Sequence, residues 1–224
     1  MNIRRFCILL LLVAVGSGAC AQGYFCVRKD ARLEYIRRTV KDGSIEWRHI
    51  MTVSDVRSSG TSSQVTARSS FYKSNGKRLY GSDITERISV DDEGNVSTDL
   101  GTVMVSFIKA RTGLNASAGP IRSVLPADMQ SGDILPPISG SVKLGFLTYT
   151  LNVLDRKVLH EETITVPAGT FNCVVIEERK QESGPGHNRD VVNLTWYCKG
   201  IGYVRHDTYV NGVPDTSEIL ESIR

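Results

Sequence analysis

Histidine is scarce: four residues in 224, at positions 49, 160, 187 and 206. No two stand at an H-x-x-x-H spacing and no C-x-x-C accompanies them, so the zinc sites such patterns announce have no support. The chain also lacks a G-x-S-x-G nucleophile elbow, a Walker loop and a dinucleotide fingerprint, the local geometries that expose a serine or cradle a phosphate. Serine and histidine are both present, yet nothing sets one beside the other, and a triad is recognised by that placement. An excess of one charge is missing too, since 27 Lys and Arg face 24 Asp and Glu. A nearly neutral chain with interspersed signs offers no electrostatic footprint to nucleic acid or an anionic membrane, so neither is expected as a partner. The chain is expected to be non-enzymatic and to carry no cofactor or metal.

Acidic pairs do not change this. Glu161-Glu162 and Glu177-Glu178 are adjacent in strand-like sequence, so their side chains point to opposite faces and cannot form a dyad. Asp91-Asp92-Glu93-Gly94-Asn95 lacks the spaced ligands of an EF-hand and reads as a solvated hairpin tip.

What is present at the N-terminus is an export signal. Arg4 and Arg5 precede an uncharged apolar run, Phe6 to Val15, and then Gly16, Ser17, Gly18 and Ala19. The run is too short to span a bilayer, so residues 1–21 are expected to be a signal peptide and the mature chain to have no transmembrane segment. Ala19-Cys20-Ala21 forms an A-x-A site that would start the mature chain at Gln22. Alternatively, Cys20 is the lipid-bearing cysteine of a bacterial lipoprotein, with Ser17-Gly18-Ala19 leading in where a Leu-like residue usually stands at the first position. Either way the expected location is the periplasm or the outer membrane. Losing Arg4 and Arg5, and no acid, lowers the formal charge from +3 to about +1.

The remaining residues, 22–224, read as one mainly β domain. Alternation of apolar and polar residues recurs between Gly, Asn and Asp breaks. Leu33 and Tyr35 open a first strand; Lys41-Asp42-Gly43-Ser44 turns it, since Asp-Gly tolerates positive φ. Ile45 to Val53 returns, with Trp47, His49 and Met51 on its apolar face. His49 there reads as a satisfied core histidine. Val65 to Phe71 and Ile84 to Val90 continue the pattern, and Met104 to Ala110 is the only segment expected to be a short helix. Residues 113–141 carry Gly119-Pro120, Leu125-Pro126 and Pro136-Pro137, which break any ladder. This segment reads as a long crossing loop with too many apolar residues for a free tether, and its Leu125, Met129, Ile134 and Leu135 are candidate ligand contacts. Strands resume from Val142, with a face switch near Gly145 expected to mark a bulge. About a dozen strands point to a curved antiparallel sheet, half-barrel or up-and-down barrel.

Export permits disulfides, and Cys26, Cys173 and Cys198 remain in the mature chain. Cys173 and Cys198 are centred on the same point as the turn-prone Gly184-Pro185-Gly186-His187. A symmetric hairpin would set them directly opposite, as a cross-strand disulfide or as two buried thiols.

The C-terminal third carries a resemblance. Val166-Pro167-Ala168-Gly169-Thr170-Phe171-Asn172-Cys173, followed by Trp196-Tyr197-Cys198-Lys199-Gly200-Ile201-Gly202-Tyr203-Val204-Arg205, resembles the TapB-like family of exported Bacteroidetes proteins, close to domain-of-unknown-function family 3108. Leu33-Glu34-Tyr35 with Asp42-Gly43, and Pro126 to Pro136 around Gly132-Asp133, are similar to its first hairpin and middle loop. The resemblance implies an incomplete barrel like the periplasmic lipoprotein carriers, with a lipid-holding concave face and no assigned catalytic residues. Three functions follow as expectations: a carrier of a lipid or other apolar ligand with the 113–141 loop over its mouth, a module that binds another envelope protein, or an enzyme with dispersed site residues.

Overall fold

The computed structural model describes residues 22–224. The expected signal peptide, with Cys20, lies outside the described residues. Turn chemistry sets the course of the chain. β1 (Arg32–Thr39) and β2 (Ile45–Ser59) are joined at Asp42-Gly43, with Gly43 at φ 71°. β3 (Ser62–Tyr72), β4 (Ile84–Val90) and β5 (Val96–Asp99) follow antiparallel in turn. Asp99 then caps α1 (Leu100–Thr112), its carboxylate accepting from the Thr102 amide, and Gly113 at φ 76° ends it. The helix is longer than the 104–110 expected.

Residues 113–141 are not a free-standing loop. They hold β6 (Ser117–Ala118), β7 (Arg122–Leu125) and the start of β8 (Ile138–Leu144). β9 (Leu147–Val166), β10 (Gly169–Gly184), β11 (His187–Cys198), β12 (Gly202–Val210) and β13 (Val213–Ile223) complete a run of hairpins. The face switch near Gly145 is a chain reversal and not a bulge. Leu144 pairs Leu147, leaving Gly145 at φ 60° and Phe146 as a two-residue tip.

All thirteen strands form one sheet in the order β6-β8-β9-β10-β11-β12-β13-β1-β2-β3-β4-β5-β7. The ladder is open, because its edge strands β6 and β7 do not pair with each other. Only Gly119-Pro120-Ile121 separates them in sequence, so the sheet must curl until its edges nearly meet. Side chains close that seam. Ile121 packs against Gly140 so tightly that a Cβ there would lie 2.3 Å from it, and its carbonyl accepts the Leu100 amide at 2.8 Å. Ile138, Leu151 and Val153 bury with it, and Leu100 and Met104 of α1 pack on top.

The sheet has two unlike ends. At one, residues 22–31 and the 125–136 segment cross the opening. The Gly23 carbonyl accepts from Gly200, and the Gly132 and Leu135 amides donate to Val158 and Arg156. Tyr24, Cys26, Leu125, Met129 and Leu135 enter the main core from this end, meeting Leu33, Val53, Ile88 and Leu220. At the other end lie the β1–β2, β8–β9, β10–β11 and β12–β13 tips and the C-terminus of α1.

The β9–β10 hairpin bends at register shifts beside Val175 and Glu177. Its tip folds over the outer face, where the Ala168 amide donates to Leu220 as β13 runs past its last pair with β12. Residues 173–176 are consequently buried in succession, on both faces of the sheet.

Candidate functional site

The inner face is divided. Beyond the apolar core, the same strands place a polar cluster in the interior. Cross-strand pairing explains it: Arg37 stands opposite Glu218 and Trp47, Tyr35 opposite His49, and His49 opposite Phe71, so these side chains share one face. Alternation puts Ser69 and Glu86 on that face as well, and His206 opposite Glu218.

The charged groups there are all partnered, while the buried Trp47 indole N–H has no hydrogen-bond partner among the described residues. His49 Nε2 lies 2.9 Å from Ser69 Oγ, whose proton goes to Glu86 Oε1 at 2.8 Å. The imidazole is therefore the donor toward Ser69. His49 Nδ1 lies 3.2 Å from Glu218 Oε1 and 3.1 Å from the Tyr203 hydroxyl. Arg37 donates to Glu46 at 2.9 Å, sits 3.8 Å from Glu218 and stacks over the Trp47 ring at 4.6 Å. Aromatic rings pack around the cluster, with His49 stacked on Phe71 at 4.4 Å and Tyr35 on Tyr203 at 4.5 Å.

The electrostatics follow from this enclosure. Burial pushes the Glu218 carboxyl up, but the hydrogen bond and charge of His49, with the charge of Arg37, outweigh it and hold the group below its ordinary value. Burial holds His206 down to about 4, as a neutral imidazole against Thr195 Oγ1 at 2.8 Å. Burial also drives Tyr35 and Tyr203 well above the usual phenol range.

Ser69, His49 and Glu218 are connected as in a hydrolytic triad. Accessibility separates them from one. Ser69 is 1% exposed and its hydroxyl already donates to Glu86, so no substrate carbonyl can approach and its proton is committed elsewhere. The cluster is an enclosed polar interior, hydrogen-bonded throughout its ionisable groups. Sequence reading identified His49 as a core histidine but none of its partners, which lie up to 169 residues away.

The candidate ligand contacts divide three to one. Leu125, Met129 and Leu135 are in the packed core, while Ile134 is 72% exposed. The loop therefore fills the end of the sheet and does not arch over a hollow. Open concavities lie instead on the outer face, such as a groove of about 340 Å³ beside Arg179, Asp190 and Tyr209 and one of about 450 Å³ beside Asp55, Arg57 and Arg87. Polar, charged walls of that kind offer an apolar ligand little.

The cysteines follow the expected register. β10 and β11 pair without a shift from Gly184↔His187 to Val174↔Tyr197, and the next step of that series is Cys173 opposite Cys198. Both are free thiols here, as is the buried Cys26. The adjacent Cys198 sulfur, then burial, holds the Cys173 thiol above its ordinary range, and Cys173 in turn draws Cys198 below. Trp196 is buried on the face opposite the polar cluster, under the bent hairpin. Arg205 stacks on it at 4.7 Å and its indole donates to Glu162.

Among the described residues no group of His, Cys, Asp and Glu is arranged to hold a metal, and no helix is long and apolar enough to cross a membrane. Fold and interior together define a class: an open, curled antiparallel sheet filled by its own side chains, with a buried polar cluster in place of an accessible site. The chain belongs to the DUF3108-like family, which it matches over residues 36–217. Its fold is that of a Bacteroides fragilis protein described as exported and as having a YmcC-like fold (20% identity, TM-score 0.73, covering 91% of this chain and 99% of that one). A Parabacteroides distasonis protein described as a lipoprotein is equally similar in fold (17% identity, TM-score 0.73, with the same coverage). No curated protein matches the chain.

Proposed function

We propose that this protein is exported to the bacterial envelope and acts there through its outer surface, as a non-enzymatic binding module and not as a carrier of an enclosed ligand. The observation that carries this reading is the burial of Leu125, Met129 and Leu135 together with Tyr24 and Cys26 in the core. Those side chains occupy the volume a lipid chain would need, and interiors packed at crystal-like density admit no such guest. The Ser69–His49–Glu218 connection gives no second, enzymatic reading, because catalysis needs a reachable nucleophile. Envelope location is supported by the Arg4 to Cys20 sequence and by the descriptions of the two structural neighbours as exported and as a lipoprotein.

Native mass spectrometry of protein purified from its own envelope, followed by organic extraction, tests this. The expected result is a ligand-free mass and no uptake of an apolar dye. A lipid-sized adduct at one per chain would establish the carrier instead. The same intact mass distinguishes a chain cleaved before Gln22 from one acylated at Cys20.

A further inference from the structure

We propose that the end of the sheet carrying the β8–β9 tip and the C-terminus of α1 binds the surface of an anionic phospholipid bilayer. The inference rests on the surface-acting reading above and names the surface.

The near-neutral net charge conceals a local cluster of cations. Residues 72–83, 109–116 and 143–148 contain Lys73, Lys77, Arg78, Lys109, Arg111 and Lys143 against one acid, Asp83. Arg78 pairs with Asp83, and the other five cations, all exposed, are in no ion pair among the described residues. The opposite end is mixed, with Asp91, Asp92, Glu93, Asp128 and Asp133 beside Arg28, Lys29 and Lys199. Sequence totals cannot reveal the cationic cluster, because the fold alone brings its three segments together.

The cationic segments form one region. The Gly81 amide donates to Ala110 at 2.8 Å and the Tyr80 ring meets Phe107 edge-on at 5.4 Å, so the 73–83 turn lies along the end of α1. Ser117 pairs with Lys143, so Leu114, three residues before Ser117, and Phe146, three after Lys143, both flank that pair. These two are among the most exposed large apolar side chains of the protein, at 56% and 95%. Phe146 has no folding reason to be there, as the tip needs only Gly145 to reverse the chain.

Exposed apolar tips set among unpaired lysines match an anionic bilayer better than an acidic protein. A bilayer takes single side chains into its headgroup layer while its charge attracts the surrounding cations. A stable protein interface needs about 800 Å² per partner with an apolar centre, and two tips do not supply one.

Co-sedimentation of the mature chain with vesicles provides the test, using phosphatidylglycerol mixed with phosphatidylcholine beside pure phosphatidylcholine. Binding is expected only to the mixed vesicles and is expected to weaken as salt is raised. Lys73→Glu with Lys77→Glu should weaken it more than tenfold, and Phe146→Ser about tenfold. Lys199→Glu, at the opposite end, should leave it unchanged. Equal binding to neutral vesicles, no binding to anionic ones, or indifference to these folded variants would overturn the inference. So would a photo-crosslinker at position 146 that captures protein and not lipid in cells, which would assign the patch to an acidic protein partner. A lipid that co-purifies at one per chain and survives Phe146→Ser would instead overturn the filled-interior reading.

Discussion

Glu218 is the residue on which the interior cluster turns. It is buried, faces His49 and Arg37, and stands opposite His206. Removing one partner of such a group leaves the others buried without compensation, so Glu218→Gln should destabilise the fold by about 3 kcal/mol, read as a lower urea midpoint. An unchanged midpoint would mean the cluster is slack. Acid should act in the same direction. Glu218 is held below its ordinary 4.5, so its contribution is complete above that pH and is lost as pH falls through the folded value. His206 is held from 6.5 down to about 4, so the unfolded chain takes up this proton first. Stability should then decline from pH 6.5 toward 4, by at most about 3 kcal/mol for this group. Stability that rises over that range would refute the assignment.

The cysteine pair belongs to the same scale. Oxidation by glutathione disulfide, which accepts two electrons and the two thiol protons to become two glutathione thiols, should join Cys173 to Cys198. Free thiols in the unfolded mature chain would drop from three to one, and closing that loop should add about 3 kcal/mol. Three thiols still titrating afterwards would show that the sulfurs cannot reach bonding geometry.

At the scale of elements, the seam is where sequence and structure part. Tips and turns were legible: Asp42-Gly43, Gly94 and Pro185-Gly186 all fall between strands, because turn residues act locally through φ. The 113–141 segment was not, because β6 and β7 exist only through partners on opposite edges of the sheet. α1 shows the same dependence, since its first turn is fixed by contact with the seam. A Cβ on Gly101 would lie 2.5 Å from the Gly119 carbonyl. Gly101→Ala should therefore destabilise the protein by about 1–2 kcal/mol, although alanine in a helix normally stabilises by about 1 kcal/mol relative to glycine. Thermal unfolding would show the sign, and a raised midpoint would mean the helix is not pinned there.

For the whole molecule, the sequence by itself determined the strand run and the hairpin register that sets Cys173 opposite Cys198. Each depends on neighbours within a few residues or on symmetric pairing about a tight turn. Only the tertiary structure decided that the ladder stays open with its seam filled by Ile121, that Leu125, Met129 and Leu135 turn inward, and that His49 meets Ser69 and Glu218. It alone also gathers Lys73, Lys77, Lys109, Arg111 and Lys143 into one region. These outcomes depend on which strands curl together across more than a hundred residues, and alternation along a strand tells which side chains share a face without telling what that face will meet.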